Sequence, residues 1–85
     1  MSDLAKTFKA LPLAQRLARV KREGEYLDSK RHGGHNVHLY RMNGFFSEVW
    51  MRIGHDQVEW IEVQQNPELL SEYVRLDLQA ILDRI

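Results

Sequence analysis

Two dipeptides ten residues apart, Gly33-Gly34 and Asn43-Gly44, limit what this chain can fold into more than any other feature. Both tolerate the positive φ angles that two-residue hairpin loops require, so each predicts a tight antiparallel reversal, of type I′. Around them, from Gly24 to Gln65, apolar residues recur with a period near two rather than 3.6. The stretch GHDQ at 54–57 supplies a third, longer turn. Strands are therefore expected over 24–32, 35–42, 45–53 and 58–65, paired as a four-stranded antiparallel meander.

The flanks change to helical spacing. Leu13, Leu17 and Val20 form one stripe, with Ala14 and Ala18 beside it and Arg16, Arg19 and Arg22 opposite. Pro12 suits a first helical turn and Gly24 ends the helix. Residues 3–11 read as a looser preceding turn anchored by Phe8 and Leu11. After the sheet, Asn66 reads as a cap with Pro67 and Glu68 behind it, opening a stripe of Leu69, Leu70, Tyr73 and Val74 that continues through Leu78, Ile81, Leu82 and Ile85. Asp77 falls inside that stripe, so the C-terminal helical segment is either one helix or two with a break near Leu76. The expected fold class is α+β, in the order α-β-β-β-β-α, as one small domain over residues 1–85.

Zero cysteines mean that neither disulfides nor thiolate metal sites contribute, so a core or a partner subunit must supply the stability. The longest apolar runs, VWM and AIL, fall far short of the roughly 20 residues a spanning helix needs. A soluble, cytoplasmic protein with no membrane partner is the expectation. The net charge of zero conceals an asymmetry: residues 1–41 carry nine Lys/Arg against four Asp/Glu, whereas 42–85 carry three against eight. Such complementarity favours docking of the two halves or of two subunits, and the basic half also raises nucleic acid as a partner.

If the loops have two residues, pairs in the first two hairpins sum to 67 and 87, and the analogous register for the last hairpin sums to 111. Alternation then sorts side chains onto two faces. The first would hold Leu27, Tyr40, Met42, Phe45, Val49, Met51, Val58 and Trp60, with Ser29, His38, Glu62 and Gln64. The second would hold Tyr26, Val37, Leu39, Phe46, Trp50, Ile61 and Val63, with Asp28, Lys30, Arg41, Glu48, Arg52 and Glu59. Because Arg41, Glu48 and Arg52 occupy central strands of the second face, the helices are expected on the first.

Three of the four histidines, His32, His35 and His38, lie within seven residues. Alternation points His38 away from the other two, and Arg52 would follow His35 in its row, which disfavours a cation there. No metal or cofactor is assigned. Ser29, His38 and Glu62 would share a row, but strands about 4.8 Å apart leave His38 and Glu62 roughly 9–10 Å apart, beyond a catalytic hydrogen bond. His38 is expected to bond Ser29 instead. No catalytic residue is assigned, and a non-enzymatic interaction module is expected.

On the second face, Val37, Leu39, Phe46, Trp50, Ile61 and Val63 with Arg52 and Glu59 resemble an interface in having an apolar centre and charged rim. They predict a homodimer packed sheet to sheet, or a surface for an unidentified protein partner. A terminal helix covering each face of a three-layer monomer is the structural alternative. The functional alternative is a nucleic-acid-binding or antitoxin-like regulatory protein, with Arg16, Arg19, Lys21 and Arg22 as contacts.

Overall fold

The computed structural model describes residues 3–65 and Tyr73. Helices α1 (Asp3–Lys9) and α2 (Leu13–Glu23) precede strands β1 (Glu25–His32), β2 (His35–Arg41), β3 (Phe46–Arg52) and β4 (Val58–Gln64). The strands form one antiparallel sheet in the order β1-β2-β3-β4, the meander that the turns predict in an α+β arrangement. The expected C-terminal helix lies outside the described residues.

Residues 3–9 are a helix rather than a looser turn. So short a helix is marginal alone and depends on packing: Ala5 and Phe8, three residues apart on one face, are buried, and the Phe8 ring lies 5.1 Å from that of Phe45. Pro12 sits just ahead of α2 rather than inside it, its carbonyl accepting from the N–H groups of Gln15 and Arg16. Gly24 ends α2 in an extended conformation at φ −80°. Its lack of a side chain matters for space: a Cβ there would stand 2.7 Å from the Val20 carbonyl oxygen and 3.3 Å from the Tyr40 ring.

The tight turns keep their predicted positions but not their predicted type. Only Gly33 has positive φ in the first (58°) and only Gly44 in the second (87°). These are the sign patterns of types II′ and II; type I′ needs positive φ at both central residues.

The β2–β3 register sums to 87 throughout, as expected. Between β1 and β2 it sums to 67 only from Asp28 to His32; a bulge at Leu27 then pairs Tyr26 with Tyr40 and Glu25 with Arg41. Tyr26 is thereby moved to the first face, and Leu27 packs on the second beside Leu39 and Phe46. The β3–β4 register sums to 110 rather than 111, with a second irregularity that pairs Met51 with Val58. Ile61 and Val63 accordingly belong to the first face, whereas Trp60, Glu62 and Gln64 belong to the second. The longer loop after β3 does not fix the register, so burial decides it: pairing Val49 with Ile61 sinks the isoleucine completely and keeps Glu62 out of an apolar core.

Helices α1 and α2 cover the first face, where the helices are expected, but the charge argument for it fails: the central charge Glu48 is buried on the second face. Ala5, Phe8 and Val20 pack on Met42, Phe45, Val49 and Ile61.

Candidate functional site

The residues expected to form one interface are divided between the two faces. Ile61 and Val63 lie with the first-face core, while Val37, Leu39, Phe46, Trp50, Arg52 and Glu59 remain on the second. Val37 and Leu39 have 0% exposure and Phe46 has 3% within the single chain. Tyr73 packs against Leu39 and Phe46. Glu48, the central-strand charge expected to keep the helices off this face, is buried too. Its carboxylate accepts from the Tyr73 hydroxyl and from Gln64 Nε2 at 2.7 Å, and Lys30 Nζ stands 3.7 Å away. Lys30 also lies over the Tyr73 ring. A central charge is thus accommodated by donors converging from two strands and the C-terminal segment.

At the Gly33-Gly34 end, the His32 and His35 rings meet Trp50 at 5.5 and 5.6 Å. Glu59 lies 2.9 Å from His35 Nε2 and 2.8 Å from Arg52 Nε. Hydrogen bonding with His35, followed by that with Arg52, lowers the Glu59 pKa. Among the described residues no group of three or more His, Asp or Glu could hold a metal ion.

The four basic residues of α2 have different surroundings. Arg16 is buried: its Nη1 donates to the Ile61 carbonyl at 2.7 Å and its guanidinium lies 4.1 Å from the centre of the Trp60 ring. It fastens α2 to the outer strand β4. Arg19 bonds Glu23, and Arg22 is 3.6 Å from the same carboxylate. Lys21 has no ion pair among the described residues and lines a cleft.

That cleft, about 570 Å³, is the feature that one-dimensional reading missed. Leu13, Ala14, Leu17, Val20 and Lys21 of α2 form one wall. His38 and Tyr40 of β2 and Val49 and Met51 of β3 form the floor; Asp56, Gln57 and Val58 close the far side. Two attachments set the helix over the sheet: Arg16 holds it to β4, and Gly24 brings its end against Tyr40 and Met42. Lys21 is one turn before Gly24, the residue that meets Tyr40, while Asp56 lies in the turn between β3 and β4.

The bulge at Leu27 places Tyr26 beside two residues of the floor. Tyr26, 50% exposed, lies 5.4 Å from the Tyr40 ring and 5.9 Å from that of His38. His38 pairs across from Ser29, but its ring contact is with Tyr26; among the described residues the expected bond to Ser29 does not form. Glu62 pairs with Glu48 on the other face, which removes it from the Ser29–His38 row. Burial, reinforced by Tyr26, raises the Tyr40 pKa. Among the described residues, the polar groups lining the cleft do not hydrogen-bond one another. The only sequence signals were Lys21, outside the α2 apolar stripe, and the polar His38 on an apolar face.

Among the described residues no helix is long and apolar enough to cross a membrane. Compared with protein families, with curated proteins and with solved structures, the chain matches none.

Proposed function

We propose that this protein is a small non-catalytic binding module whose working surface is the first-face cleft between α2 and the sheet. The observation that carries the reading is the cleft itself: about 570 Å³, walled by aliphatic side chains, floored in part by aromatic rings and provided with a few separated polar groups. Those are the size and chemistry of a small-molecule binding site. The separation of Lys21, His38, Tyr40 and Asp56 supports binding over catalysis, which needs a nucleophile and base within hydrogen-bond reach. Contact through the second face is less supported, since Val37, Leu39 and Phe46 are covered in the single chain. Nucleic-acid binding through α2 loses Arg16 to the sheet and has Glu23 beside Arg19 and Arg22.

A neutral apolar fluorophore such as N-phenyl-1-naphthylamine tests this reading. Its emission should rise with the native protein and saturate. Ala14→Trp, at an exposed helical position on the cleft wall, should abolish that rise without lowering the unfolding midpoint. Equal enhancement by both proteins would reject the cleft as the binding surface.

A further inference from the structure

We infer that the cleft takes an elongated apolar molecule ending in a carboxylate, with Lys21 as the anchor for that carboxylate. The inference rests on reading the cleft as the working surface and adds the chemistry of its occupant.

Length comes from the wall. Leu13 and Lys21 are eight residues apart on α2, on the order of 12 Å at about 1.5 Å per residue. The floor crosses β2 and β3 to reach Val58 of β4, so the long axis runs across the strands beneath the helix. A narrow chain or a row of rings fits such a space better than a compact polar solute, whose hydrogen bonds Leu17, Val49 and Met51 could not replace.

Direction comes from charge. At the β2 end, Lys21 is a cation without an ion pair among the described residues, and Tyr40 lines the same cleft. At the β4 end stands Asp56, whose charge repels a carboxylate. The anionic end therefore belongs beside Lys21 and the apolar body runs toward Val58. A cationic amphiphile would have to reverse and place its charge beside Asp56, in the β3–β4 turn, away from Tyr40.

The test compares decanoate, decanol and decyltrimethylammonium, each below its micellar concentration, by displacement of N-phenyl-1-naphthylamine from the full chain, with molar mass measured by light scattering on the same samples. Decanoate is expected to bind about three-fold tighter than decanol, within the range of an ion pair at an exposed lysine such as Lys21. Lys21→Gln should erase that difference while leaving decanol unchanged, Lys21→Arg should preserve it, and Ala14→Trp should block both ligands. Decanol equal to decanoate, or decyltrimethylammonium tighter than either, overturns the carboxylate assignment while the cleft reading stands. No displacement by any of the three, with the fluorophore itself still bound in an Ala14→Trp-sensitive way, likewise overturns the ligand assignment alone. A fluorophore that does not bind overturns both. A dimer that Ala14→Trp dissociates overturns the inference in favour of a second copy of the chain as occupant.

Discussion

Arg16 looks like one cation among several on a solvated helix, yet it has the most structural surroundings of any charged residue in α2. Its guanidinium donates to the Ile61 carbonyl and lies over Trp60. Arg16→Ala should destabilise the protein by about 1.5–3 kcal/mol, the range for a hydrogen bond to a charged group. Urea unfolding measures the loss, and a change under about 0.5 kcal/mol, ordinary for a surface substitution, would refute it. Glu59 gives a pH-dependent counterpart. Its carboxylate is held below the usual glutamate range by His35 and then Arg52, so the folded state favours the ionised form. That contribution is present above the unfolded-state pKa and disappears as pH falls through the lowered folded-state pKa. Wild type should exceed Glu59→Gln in urea midpoint at neutral pH, and the gap should close through that acidic window. A gap that stays constant with pH would assign the difference to something other than ionisation.

At the scale of elements, the junction of α2 with β1 decides whether a cleft forms. Gly24 lets the end of the helix touch the sheet, and an added Cβ would meet the Val20 backbone at 2.7 Å. Gly24→Ala should cost about 1–3 kcal/mol, as overpacking does, and should weaken fluorophore binding as α2 shifts off Tyr40. Thermal unfolding and fluorophore titration check the two effects separately. The strand boundaries were legible because glycine-bearing turns and two-residue alternation are local properties. The bulge at Leu27 and the 110 register were not: each trades a regular ladder for better burial across strands, and its consequence appears only when Tyr26 meets Tyr40 or Ile61 goes under the helices. One-residue slips moved Ile61 and Val63 out of the expected interface, since a slip changes which face a strand presents.

Across the whole molecule, the second face shows how a charge in mid-sheet is accommodated. Tyr73, in the segment after the sheet, donates its hydroxyl to buried Glu48. Tyr73→Phe retains the ring and removes that donor, so a loss of about 1–3 kcal/mol is expected in urea unfolding. Tyr73→Ala removes the ring as well and uncovers Leu39 and Phe46. Light scattering over a concentration series should show more self-association for this variant than for wild type. Equal masses would indicate that the second face does not self-associate even when uncovered.

The sequence by itself determined the α+β class, the four strands and their order, and the second helix. Each follows from turn chemistry or hydrophobic period, both of which are read along one chain. Tertiary structure decided which face Tyr26, Ile61, Val63 and Trp60 occupy, that Glu48 is buried, and that Lys21 shares a cleft with Tyr40 and Asp56. Those outcomes depend on how α2 crosses the sheet and how far β4 slides past β3. Neither displacement is encoded in any local pattern; both are set by the summed burial of residues distant in sequence.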